Sequence, residues 1–226
     1  MTEKSYDQVV IKRVIVIPKE TFFNLPLEKR ERIIEAAIDE FSRNDYREAK
    51  INEIVRLSSI PKGSFYQYFE DKKDLFKYVI DLLYEKKMEA ISNVMNSAVN
   101  TSAFQVLRLM AEAAIEMAEE NPRLSKIGDR LMADPALMRE VFEDYRPSSD
   151  GLMEGLVRQG IERGDIAPWV DPSLAARLIT AFLLALGDAV RESGSGNLTE
   201  EARKKFYSMV DILEKGMRRR EQDDRS

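Results

Sequence analysis

The chain of 226 residues is 44% hydrophobic and 33% charged, with a formal net charge of −5. It contains neither cysteine nor histidine, which excludes disulfides and thiolate metal sites and removes the commonest general base and metal ligand. The length allows a sizeable core, helix formers dominate, and no apolar run is long enough to span a bilayer, so the expectation is an all-α protein of the cytoplasm.

Residues 1–25 read as an N-terminal arm or extension. They are β-branched from Val9 to Ile17, then reach Pro18, with no partner strand in view. From Leu27 the period becomes helical. Ile34, Ala37, Ile38 and Phe41 share one helix face, with Pro26 in front and Asn44 as the stop. A short helix covers about Ile51–Ser58, "SSI" is a tight connection, and a third helix runs from Pro61, in its first turn, to near Phe69. Asp71 caps a long fourth helix that reaches toward Met95. Thr101 or Ser102 caps a segment ending at Asn121–Pro122. Shorter helices follow over about 123–132 and 135–145, and another over about 148–163 stops at Gly164. Asp171 and Pro172 open an apolar helix to about residue 192, and Thr199 opens a last one to about Met217. The tail 218–226 is charged and expected to be disordered.

The acidic surplus lies beyond residue 75, and there is no acid between Glu53 and Glu70. Within that stretch, two short helices joined by a tight turn form a helix-turn-helix. Its second helix, "PKGSFYQYF", has aromatics on more than one side. Phe65 and Phe69, four apart, form a buried stripe. Tyr66 and Tyr68 point elsewhere, where a phenol can donate to a phosphate oxygen. Gly63 lacks a Cβ at the point where the first turn must come close to a duplex, and Lys62 and Ser64 can reach base edges or phosphates. Lys72, just past this helix, can neutralise a phosphate beside the next helix's N-terminal amides.

"IPKGSFYQYFEDKKDLF", together with "RERIIEAAIDEFSRNDYREAKINEIVRLSS" upstream, resembles the tetracycline-repressor (TetR) family of bacterial transcription regulators over about residues 28–83. The resemblance implies groove-facing roles for Lys62, Gly63, Ser64 and Tyr66. It implies backbone-phosphate contacts for Gln67, Tyr68 and Lys72. Lys50 and Asn52 fall where the family often has a phosphate-binding threonine. Ser59 stands in place of the usual turn glycine, Pro61 in place of a common serine, and Lys50 in place of threonine.

The implied organisation is a helix-turn-helix DNA-binding domain over 26–75 and a helical effector-binding and dimerisation domain over 76–217. The implied function is a ligand-responsive regulator, a repressor, that binds a palindromic operator as a homodimer and is released by a small organic effector. Composition points to a hydrophobic or weakly cationic one. Phe104, Leu107, Met110, Met132, Phe142 and Leu156 are the expected pocket side chains, with Arg108 or Asp129 as a polar anchor. Leu174, Leu178, Phe182, Leu186 and Val190 form the expected dimer face. No catalytic set, metal site or cofactor is expected. The competing readings are an all-helical adaptor and an all-helical enzyme, the latter built on carboxylates such as Glu112 and Glu116, neither binding DNA.

Overall fold

The computed structural model describes the backbone of residues 18–98, 100–142, 146–192 and 198–219. Within its helices, the side chains of 142, 146–149, 183–192, 198–199 and 201–202 fall outside that description. The described chain is all-α, as expected. Its elements are α1 (Glu20–Phe23), α2 (Leu27–Arg43), α3 (Ile51–Leu57), α4 (Lys62–Tyr68), α5 (Lys72–Ser97), α6 (Ala103–Glu120), α7 (Pro122–Met132), α8 (Pro135–Phe142), α9 (Arg146–Arg163), α10 (Pro172–Glu192) and α11 (Leu198–Met217).

The helix starts follow local chemistry. Asp71, Asp134 and Asp171 each accept a backbone N–H three residues on, from Asp74 (2.9 Å), Leu137 (3.1 Å) and Leu174 (2.7 Å). Each thereby satisfies an N-terminal donor that the helix itself leaves open. Ser102, one of the two residues expected to cap α6, does the same for Gln105 at 3.3 Å. Gly164, with φ of +84°, ends α9 as a left-handed glycine. Pro61 differs from expectation by one position, standing at the N-cap of α4.

Two compact units result. One comprises residues 18–88 and 117–141, and the other comprises the described residues of 89–116 and 142–219. Packing therefore groups α7 and α8 with the helices read as DNA-binding, and it changes hands within α5 at Met88/Glu89. The sequence reading placed a boundary near residues 75–85, bridged by this same long helix.

In the first unit, Phe22, Ile33, Phe41, Ile54, Phe65, Phe69, Leu75 and Val79 are almost wholly buried. Burying each such side chain contributes about 1.5–3 kcal/mol. The buried stripe of α2 runs through Ile33, Ala36, Ala37, Ile38 and Phe41. Ile34, expected on that face, sits at its edge, half-buried.

The second unit packs α10 against α9 and α11. Gly160 of α9 is a point of close approach: an added Cβ would lie 2.6 Å from Ile166 Cδ1 and 2.9 Å from Ala103 Cβ. The end of α11 is tied back by Ala167 N–H to Met217 O (2.8 Å) and by an antiparallel bridge between Ile166 and Arg218. Arg218 and Arg219 are therefore held in place, contrary to the expected disordered tail. Residues 220–226 lie outside the described residues.

Candidate nucleic-acid interface

The helix-turn-helix is set up from below. The Glu40 carboxylate, buried on α2, accepts the backbone N–H of Lys50 at 2.8 Å and so fixes the start of α3. In the turn, Ser58 is fully buried and donates its hydroxyl to Ile54 O at 2.7 Å. Ile60 N–H closes the turn on Val55 O at 3.2 Å. Ser59 carries a φ of 55°, the left-handed region that a Cβ makes unfavourable. Ser59→Gly is expected to raise stability by about 0.5–1 kcal/mol, and the β-branched Ser59→Val to lower it, as read by urea unfolding.

Beneath α4, Phe65 and Phe69 are wholly buried with ring centroids 5.4 Å apart, as their spacing predicts. Outside, Lys62, Gly63, Tyr66 and Gln67 are exposed and Ser64 is partly so. Lys50 and Asn52 are exposed at the start of α3. These seven residues occupy the outer surface of the motif. Among the described residues, apart from its chain neighbours and its own helix backbone, nothing lies within 4 Å of a Cβ added at Gly63.

Two expected phosphate contacts are held otherwise. Tyr68 is 5% exposed, and its hydroxyl accepts from Lys29 Nζ at 3.2 Å. It is a core aromatic of this unit, because α1 lays Phe22 over it with centroids 6.3 Å apart. The Lys72 ammonium turns inward. It donates to Ala49 O at 2.9 Å and to Arg47 O at 3.1 Å, and it stands 4.8 Å from the centre of the Tyr46 ring. Burial lowers its pKa, opposed by the nearby Glu40 carboxylate. Lys72 thus closes the loop between α2 and α3.

Sequence reasoning missed Lys19, Thr21 and Lys29, which bond to α4, and Asp74. Asp74 is buried and accepts Glu70 N–H at 3.0 Å while its own N–H caps on Asp71. Burial raises its carboxyl pKa. The spacing Asp71-x-x-Asp74 was the available signal for a cap of the capping-box kind, closed here on the N–H of Glu70, one residue before the cap. Ion pairs also join α7 and α8 to the helices before them: Arg123 to Glu35 (2.7 Å), Arg47 to Asp134 (3.3 Å), Lys73 to Glu140 (2.8 Å), and Arg130 to Asp45. Beside them lies a cleft of about 460 Å³ lined by Phe41, Tyr46, Phe76, Leu131 and Leu137 among others.

The expected effector residues divide between the two units. Phe104, Leu107 and Met110 share the buried face of α6, and Leu156 is buried on α9, all in the second unit. Met132 belongs to the first unit, and the Phe142 side chain lies outside the described residues. Arg108 is engaged by α11, donating to Asp211 (2.6 Å) and Glu214 (2.8 Å). It holds the Glu214 pKa down. Glu112 is likewise bound by Tyr207 and Arg203, and its pKa is lowered for that reason. On α10, Leu174, Leu178 and Phe182 are exposed at four-residue spacing, while the side chains of Leu186 and Val190 lie outside the described residues.

A helix-turn-helix with an open outer face, followed by a helical region, defines a DNA-binding transcriptional regulator. The sequence model of bacterial regulatory proteins of the tetR family matches residues 33–79, and that of the tetracyclin repressor-like C-terminal domain matches residues 101–218. A crystal structure of a TetR family transcriptional regulator from Chloroflexus aurantiacus J-10-FL is 35% identical, covers 90% of this chain and 100% of its own, and has a TM-score of 0.61. The fatty acid metabolism regulator protein of Bacillus subtilis (strain 168) is 22% identical over 153 residues, 67% of this chain and 77% of that protein. In fold, the chain is also similar to FadR from Bacillus subtilis, crystallised in complex with stearoyl-CoA: 19% identity, 80% of this chain, 97% of that one, TM-score 0.63.

The chain belongs to the TetR family of transcriptional regulators. It is a ligand-responsive DNA-binding regulator and not an enzyme. Members of the family bind DNA operators and small-molecule effectors, usually as dimers. No helix among the described residues is long and apolar enough to cross a membrane.

Proposed function

We propose that this protein is a cytoplasmic repressor. It acts as a homodimer, places two copies of α4 in successive major grooves of a pseudo-palindromic operator about 34–36 Å apart, and is released by a hydrophobic effector. The observation that carries the DNA reading is the split of α4 into a buried Phe65/Phe69 side and an outer side of Lys62, Gly63, Ser64, Tyr66 and Gln67. Lys50 and Asn52 add phosphate contacts beside it. An apolar effector accords with the stearoyl-CoA bound by the FadR of similar fold and with the buried apolar face of α6. Effector binding need favour the non-binding state by only about 1.4 kcal/mol to weaken operator affinity tenfold.

The test compares two lysines on a site selected from random DNA. Lys62→Ala is expected to leave the melting temperature unchanged and to cost about 1–3 kcal/mol at one base position if it contacts a guanine. Lys72→Ala is expected to lower protein stability by about 1–3 kcal/mol, through two lost charge-assisted bonds, with no change in the salt slope of binding. Equal effects of the two on DNA binding, at equal stability, would remove α4 from the groove.

A further inference from the structure

The last four carbonyls of any α-helix have no partner within it. In α4 these belong to Phe65, Tyr66, Gln67 and Tyr68. Phe65 O accepts the N–H of Phe69 at 2.9 Å. The other three are all answered by two residues of the segment that precedes α2. Lys19 N–H donates to Tyr68 O at 2.8 Å, Lys19 Nζ donates to Tyr66 O at 2.9 Å, and the Thr21 hydroxyl donates to Gln67 O.

The local chain offers no substitute for this arrangement. Helix ends are ordinarily closed by the residues that follow, most often through a left-handed glycine. After α4, Phe69 is extended (φ −130°, ψ 145°) and buried, and Asp71 already caps α5. A helix of seven residues is also far shorter than one that holds together by itself. Phe22 supplies the anchorage. It is wholly buried, with ring centroids 5.0 Å from Phe69 and 5.5 Å from Tyr78. It holds Lys19 and Thr21, three residues and one residue before it, against the end of α4. The Lys19 ammonium also stands at the negative end of the helix dipole and pairs with Glu70 at 2.9 Å.

We propose that Lys19 and Thr21 are positioning residues for DNA recognition, capping the recognition helix from outside and fixing the rotation at which it meets the groove. The capped carbonyls belong to Tyr66 and Gln67, whose side chains lie on the DNA-facing surface. A shift at the cap is therefore a shift of reading atoms, which must be held to a fraction of an ångström. This rests on the reading of α4 as the element that enters the groove.

The experiment uses the full chain, a duplex selected with the wild type from random DNA, and a scrambled duplex of equal length, titrated over a range of salt. Thr21→Val removes the hydroxyl at constant shape, Thr21→Ser retains it, and Lys19→Met removes the ammonium while keeping the stem. Thr21→Val and Lys19→Met are each expected to weaken the selected site about fivefold to tenfold, the worth of one lost hydrogen bond. Scrambled-duplex affinity and the salt slope should stay at wild-type values, because no phosphate contact is removed. Thr21→Ser should restore binding.

Selected-site affinities within twofold of wild type for both variants would overturn the proposal. So would equal losses on both duplexes, which mark a merely structural role. Should Thr21→Val unfold the protein, Lys19→Met carries the test, since its backbone bond to Tyr68 remains. A wild type that selects no sequence at all would instead refute the groove reading of α4, and the positioning role with it.

Discussion

Gly63→Leu is expected to weaken specific operator binding by roughly 100-fold while leaving the protein folded and at least as stable. Glycine inside a helix costs about 1 kcal/mol relative to alanine, and such a cost is ordinarily offset by a close contact that a Cβ would spoil. At Gly63 the described residues show none: apart from its chain neighbours and its own helix backbone, nothing lies within 4 Å of an added Cβ. The proposed reading assigns the close approach it permits to DNA. Gly63→Ala should accordingly raise stability by up to ~1 kcal/mol while weakening operator binding. Leucine would hold the helix off the base edges, forfeiting contacts worth about 3 kcal/mol or more, roughly 100-fold in affinity. Calorimetry and operator titration on the same preparations read both signs at once. Wild-type affinity for Gly63→Leu would show that the first turn of α4 does not touch DNA.

Phe182→Glu is expected to convert a dimer into monomers. Ala175, Ala176 and Ile179 form the buried side of α10, while Leu174, Leu178 and Phe182 are 59%, 48% and 40% exposed on the other. An apolar stripe of this kind marks a surface that a partner covers. Each of these side chains contributes about 1.5–3 kcal/mol when buried, and a carboxylate in their midst must either stay in water or lose its charge. Sedimentation at micromolar concentration should show a dimer for the wild type and a monomer for the variant. Operator affinity should fall by 100-fold or more, because the second half-site no longer binds as an intramolecular event. A monomeric wild type would remove this interface.

Much of the fold was legible because helix periodicity and capping are local. Asp71, Ser102, Gly164 and Asp171 gave their helix ends to within a residue or two. At α4 the motif pointed Lys62, Gly63, Tyr66 and Gln67 outward, where the structure exposes them, but it pointed Tyr68 outward too, where the structure buries it. It could not tell which cations another part of the chain would engage first. Lys29 reaches Tyr68 across 39 positions, and Lys72 finds the Ala49 carbonyl 23 positions back. Arg108 meets Asp211 and Glu214 more than 100 residues on. These are pairings of ordinary surface residue types, with no spacing rule to announce them. The extension was obscure for a related reason. Lys19 and Thr21 act on α4 through backbone carbonyls, which every residue has and which leave no mark in a sequence. The grouping of α7 with the first helices rests on long-range packing of Leu124, Ile127 and Leu131, buried on α7, against α2, equally silent in one dimension.

The inward turn of Lys72 and the burial of Tyr68 bear on how the protein shares its time among DNA sites. Attraction to arbitrary duplex is almost wholly a matter of cations set against phosphates. Here one cation assigned to that task is spent on the carbonyls of Arg47 and Ala49, and the chain as a whole is acidic. On the proposed reading, Lys62 and Lys50 remain the outward cations of the motif, and with Lys72 engaged inside the chain the affinity for arbitrary duplex should depend less steeply on salt than a count of the motif's lysines implies.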